Sequence, residues 1–90
     1  MYLHLGQTTV INTKDILGIF DLDTSTVSKH TRDYLSEKEK QKKVVTVSYD
    51  LPKSFTVCVN NDGTEENVYI SQLSTATLEK RANGKGFNAE

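Results

Sequence analysis

The chain has 90 residues, 36% of them hydrophobic and 26% charged, with no Trp and three Phe, so it holds one domain with a lean core. Eleven basic and twelve acidic residues give a formal net charge of −1, which excludes a chain that is basic throughout and leaves nucleic-acid binding to local clusters. A single cysteine, Cys58, excludes a disulfide-built scaffold; no secretory signal or membrane span is expected, and the chain reads as cytoplasmic.

Tyr2-Leu3-His4-Leu5 alternates, with Leu3 and Leu5 on one side, and reads as a short strand. Gly6-Gln7-Thr8-Thr9 is a turn, and Thr9-Val10-Ile11 returns to complete a hairpin. Asn12-Thr13-Lys14-Asp15 is polar and turn-forming. The strand that follows, Ile16 to Leu22, is apolar on both faces. The longer helix that follows can cover one face; the second must then be hidden, most economically by a neighbouring subunit and otherwise by the short C-terminal helix described below.

Asp23-Thr24-Ser25-Thr26 offers N-cap residues for a helix running towards Lys43. Val27, Thr31, Tyr34, Leu35 and Lys38 fall at helical spacing and form a narrow stripe, as on a surface helix that covers one sheet face. Six basic residues (Lys29, Arg32, Lys38, Lys40, Lys42, Lys43) against three acidic ones (Asp33, Glu37, Glu39) give this region a balance of 6 − 3 = +3. That charge suits either a phosphate-binding face or a solvated helix with salt-bridge partners.

Val44 to Tyr49 is β-branched and alternating, hence a strand. Pro52 marks a break before a strand from Ser54 to Asn60, and Asp62-Gly63 is a strong hairpin signal leading to Asn67–Ser71. Ser74 to Arg81 reads as a short second helix, capped by Ser74 or Thr75 and stapled by Leu73 against Leu78. The pattern predicts an α+β fold with a small antiparallel sheet, one longer helix and a short C-terminal helix. Residues 1–82 form the single domain, and 83–90 a flexible tail.

Catalytic and metal chemistry find little support. His4 and His30 lack companions at ligand spacing, so no metal and no cofactor is expected. Asp21 and Asp23 stand at a strand end, where such a pair more commonly caps a helix than performs acid–base work. Cys58 alternates with Val57 and Val59 and reads as an inert buried thiol. An enzyme is not expected. Lys14 and Lys53 are more pointed, because each lies in a polar break between strands. If the two loops meet at one edge, each subunit displays a pair of lysines that repetition would multiply.

Beyond these local readings, several blocks carry a family resemblance. They are Tyr2-Leu3-His4-Leu5-Gly6, Asn12-Thr13-Lys14-Asp15-Ile16-Leu17-Gly18-Ile19-Phe20-Asp21, Pro52-Lys53-Ser54, and Tyr69 through Ala82. In these blocks the chain resembles the RemA/RemB-type extracellular matrix regulatory proteins of Gram-positive bacteria, the RemB branch more closely. The resemblance implies a LytTR-like fold, assembly into a homo-oligomeric ring, and regulation of matrix and biofilm genes through double-stranded DNA. A paralogous subunit is a further possible partner. The family's DNA-contacting loops correspond to Lys14 and to Asp50-Leu51-Pro52-Lys53, where Lys53 alone supplies charge and the RemA-like arginine pair is absent. Lys80 and Arg81 are secondary candidates for DNA, with helix capping or subunit bridging as their alternatives. A protein-interaction module that assembles without binding DNA is the second functional reading.

Overall fold

A computed structural model describes residues 2–6, 9–25, 28–47, 51–60 and 62–82. The order is β1 (Tyr2–Gly6), β2 (Thr9–Asn12), a 3₁₀ turn (Thr13–Asp15), β3 (Ile16–Asp21), α1 (Leu22–Ser25), α2 (Lys29–Lys40), β4 (Val44–Thr46), β5 (Ser54–Val59), β6 (Glu66–Ser71) and α3 (Thr75–Ala82). The fold is α+β. β1 and β2 form an antiparallel hairpin, and a second sheet has the order β3-β5-β6-β4.

The second sheet is mixed, which corrects the expectation of a purely antiparallel one. β4 runs parallel to β6, with Val44 opposite Val68 and Thr46 opposite Ile70. The cause lies in the connection. The chain leaves β4 outside β6, crosses the end of β6, and enters β5 on the other side. Val47 N–H donates to the Ile70 carbonyl and Lys53 N–H to the Ser71 carbonyl at that crossing, both at 2.9 Å. Only Val44–Thr46 of the expected strand is paired; Ser48 and Tyr49 lie outside the described residues.

Two apolar clusters sit on the two faces of this sheet. On one face Leu3, Leu5 and Ile11 from the hairpin meet Cys58 of β5, Val47 and Leu78 of α3, with Ile16 and Ile19 of β3 packed against them. On the other, Phe55, Val57 and Val68 pack with Tyr34 and Leu35 of α2. Strand β5 is the strand buried on both faces, from Ser54 through Cys58. Of the buried hydroxyls on its hairpin side, Ser54 Oγ donates to the Leu73 carbonyl at 2.7 Å, whereas Thr56 Oγ1 has no hydrogen-bond partner among the described residues. Ser71 Oγ, from neighbouring β6, donates to the Leu5 carbonyl at 2.7 Å and so ties the hairpin to the larger sheet.

The expected long helix is divided into α1 and α2. Asp21 ends β3 and caps α1, its Oδ1 accepting from the backbone N–H groups of Asp23 (2.8 Å) and Thr24 (3.1 Å). In α2 the half-buried residues are Thr31, Tyr34, Leu35 and Lys38, the four described members of the stripe read from spacing. Val27 lies outside the described residues. Helix α3 starts as expected: Ser74 Oγ accepts from Thr77 N–H at 3.2 Å, and Leu73 and Leu78 share one cluster.

Candidate nucleic-acid interface

Asn12 closes the loop that presents Lys14. Its Oδ1 accepts from the Lys14 backbone N–H at 3.2 Å, and Ile16 N–H returns to the Thr13 carbonyl. Lys14 is exposed at the head of β3. Lys53, also exposed, precedes β5 between two backbone bonds, Lys53 N–H to the Ser71 carbonyl and Leu22 N–H to the Lys53 carbonyl at 3.0 Å.

The register of β3 against β5 decides how these lysines relate. Ile16 faces Cys58 and Asp21 faces Ser54. Lys14 therefore lies at the Cys58 end of the pair and Lys53 at the Ser54 end. Four strand steps separate Ser54 from Cys58, about 13 Å of backbone at ~3.3 Å per residue. The two loops do not meet at one edge; the subunit carries its two loop lysines at opposite ends of one strand pair. Antiparallel pairing forces this, because one loop leads into β3 and the other into β5.

The basic region of α2 is largely engaged. Lys29 pairs with Asp33 at 2.8 Å, while Lys38 and Lys43 each come within 3.9 Å of Glu66 and Glu65, respectively. The acidic tip of the β5–β6 hairpin thus lies against the basic end of the helix. Tyr34 donates its hydroxyl to the Glu66 carboxylate, with the Lys38 ammonium 5.7 Å from its ring centre. Burial, and then this bond and the Glu66 charge, hold the Tyr34 phenol well above its ordinary range. Lys14 and Lys53, by contrast, make no ion pair among the described residues.

The remaining candidates divide. Arg81 is half-buried and its Nη1 donates to the His4 carbonyl at 3.1 Å, fastening α3 to the hairpin. Lys80 is exposed in the last turn of α3. Asp21 has its carboxylate committed to the amides of α1, the capping role that its position suggests. Cys58 is buried, and burial followed by the Asp15 charge pushes its thiol from 9.0 up to about 11.

The sequence reading made β3 apolar on both faces but did not anticipate how its residues are grouped. Ile16 faces Cys58, and the next paired residue, Gly18, faces Val57, so Leu17 is an extra residue in a β-bulge. Leu17 then joins Phe20 on the α2 side of the sheet, while Ile16 and Ile19 turn to the hairpin side. The hairpin and α3 bury the second pair. Leu17 and Phe20 remain 61% and 42% exposed. Alternating apolar letters signal a two-faced strand; Gly18 inside it is the local hint of the bulge that regroups them.

The described residues form a small α+β fold with lysines on short inter-strand loops, and among them no helix is long and apolar enough to cross a bilayer. The chain is 43% identical over 82 residues to extracellular matrix regulatory protein B of Bacillus subtilis (strain 168), covering 91% of this chain and 90% of that protein. It belongs to the RemA/RemB-type family of extracellular matrix regulatory proteins, on the RemB side. No family model matches the chain.

Proposed function

We propose that this protein is a cytoplasmic, non-enzymatic transcriptional regulator that holds duplex DNA by its phosphates, as a LytTR-like subunit of an oligomer. The name of the Bacillus relative points to matrix regulation. The observation that carries the DNA reading is the placement of two such lysines on inter-strand loops: Lys14 and Lys53 stand exposed and without ion pairs among the described residues, as do Lys40, Lys42 and Lys80 in or beside the helices, whereas Lys29, Lys38 and Lys43 have carboxylate partners. A solvated lysine binds phosphate as a point charge and releases counterions from DNA. Such contacts set position, and sequence preference then comes from DNA shape and bending. Lys80, exposed in the last turn of α3, is a secondary candidate contact, and Arg81 fastens that helix to the hairpin.

Replacing Lys14 and Lys53 together by Ala tests this. The proposal expects an unchanged assembly mass, weaker DNA binding and a salt slope shallower by about one per lost contact on each subunit engaged. Unchanged affinity would remove both residues from the interface. A second reading, a self-assembling module without DNA binding, is favoured by the exposure of Leu17 and Phe20.

A further inference from the structure

An α-helix is ~10 Å wide and strands lie ~4.8 Å apart, so one helix covers about two strands. Helix α2 packs on β6 and β4, which leaves the same face of β5 and β3 beside it rather than beneath it. The step from helix to strand forms a groove of about 340 Å³. Small-molecule sites occupy roughly 300–1,000 Å³. The floor is Phe55 and Val57 of β5, and Leu17 and Phe20 of β3 make the outer wall. Tyr34 of α2 makes the inner wall, with His30 and Thr31 one turn earlier, and Glu66, the first residue of β6, adds a carboxylate.

The polar groups decide what such a groove can hold. Tyr34 donates its hydroxyl to Glu66 Oε2, and the Lys38 ammonium stands 3.9 Å from that same oxygen. Glu66 Oε1 has no hydrogen bond or ion pair among the described residues. The Tyr34 phenol, held above its ordinary range, keeps its proton, and that one hydrogen is committed to Glu66. Tyr34 and Glu66 therefore offer acceptors, beside the aromatic rings of Phe20, Phe55 and Tyr34 itself. Acceptors call for a head group rich in N–H, and ring faces attract a cation. Lys38 already holds its ammonium 5.7 Å from the Tyr34 ring centre, so this corner draws one ammonium within the fold. A second on Oε1, at about 2.8 Å in a charge-assisted hydrogen bond, is closer to the carboxylate than Lys38 is, and attraction outweighs repulsion.

We infer that the groove binds a small primary amine on a flat aromatic body, the body among Leu17, Phe20 and Phe55 and the ammonium on Glu66 Oε1. An acid of the same shape would set its charge against Glu66. The inference goes beyond the DNA reading and does not depend on it.

The chain has no Trp, so the indole fluorescence of tryptamine reports its binding to full-length protein directly, by anisotropy. Saturable binding is expected, with indole-3-propionate, of similar body and opposite charge, weaker by at least about tenfold. Glu66→Gln keeps the side-chain shape and an acceptor for Tyr34. It should weaken tryptamine by about tenfold and leave 3-methylindole, which lacks the charge, within about twofold. A merely structural role for Glu66 would weaken both probes alike. Leu17→Ser, at an exposed position, should weaken both by removing part of the wall. If Glu66→Gln fails to fold, the comparison of amine with acid on wild type and Leu17→Ser still decides the matter. No saturable binding of tryptamine to folded wild-type protein overturns the inference, whether a second copy closes the groove or nothing does. Equal binding of amine and acid, or binding that neither substitution alters, overturns it as well.

Discussion

Phe20 stacks on Phe55, with ring centroids 5.1 Å apart and planes 23° from parallel, so an edge-strand aromatic rests on the buried core. The ring also lies over Gly18. A Cβ there would sit 2.6 Å from Phe20 Cζ. Gly18→Ala therefore swings the ring off Phe55, losing roughly 0.5–1.5 kcal/mol of stacking. Relief of the glycine's cost in a strand, roughly 0.5–1 kcal/mol, offsets most of this. The expected outcome is a melting temperature within a few degrees of wild type, read by thermal unfolding.

Lys42 offers a route to higher stability. It follows α2 with φ of 60°, in the left-handed region. Around it, Lys42 N–H donates to the Glu39 carbonyl and Lys43 N–H to that of Lys38, the paired bonds of a Schellman motif. Glycine takes this conformation without the Cβ penalty. Lys42→Gly should stabilise the fold by about 1 kcal/mol and raise the melting temperature by roughly 4–8 °C. A fall in melting temperature would contradict this account of the helix end.

The hydroxyl of Tyr34 links α2 to β6 through Glu66. Tyr34→Phe keeps the ring, and with it the contact to Lys38, but deletes a bond to a charged acceptor. The expected loss is about 1–2 kcal/mol, measurable by urea unfolding. Glu66 retains Lys38 as a neighbour, which keeps the loss moderate.

Alkaline pH should destabilise the protein, and Cys58 gives the window. Below pH 9 its thiol is protonated in both the folded and unfolded chain. Between its ordinary 9.0 and about 11, the unfolded thiol ionises while the folded one keeps its proton. The unfolded state then binds fewer protons, so unfolding free energy falls as pH rises through this range. Tyr34 and Tyr69, both raised chiefly by burial, act in the same direction at higher pH. Urea midpoints at pH 8 and 10.5 should differ less in Cys58→Ala than in wild type.

Local chemistry made much of this fold legible in the sequence. The stripe of α2, the Ser74 cap and the staple of Leu73 on Leu78 all depend on residues a few positions apart. The parallel placement of β4 depends instead on where the chain crosses the end of β6, which alternation within β4 cannot encode. The bulge at Leu17 regroups Ile16 to Phe20 through pairing with β5, a partner almost forty residues away in the chain. The candidate interface divides in the same way. Lys14 and Lys53 stood out as charges in loops, but their placement at opposite ends of the β3–β5 pair needed the register. The pairing of Lys38 and Lys43 with Glu66 and Glu65 likewise needed the hairpin tip folded back on the helix.

Binding of wild-type protein of known assembly mass to labelled duplex DNA, by fluorescence anisotropy across a salt series, tests the central claim most directly. The account predicts measurable binding at low salt that weakens steeply as salt rises, with a slope that counts several phosphate contacts from more than one subunit. No binding at low salt by intact, assembled protein would contradict it, and the self-assembling module would take its place.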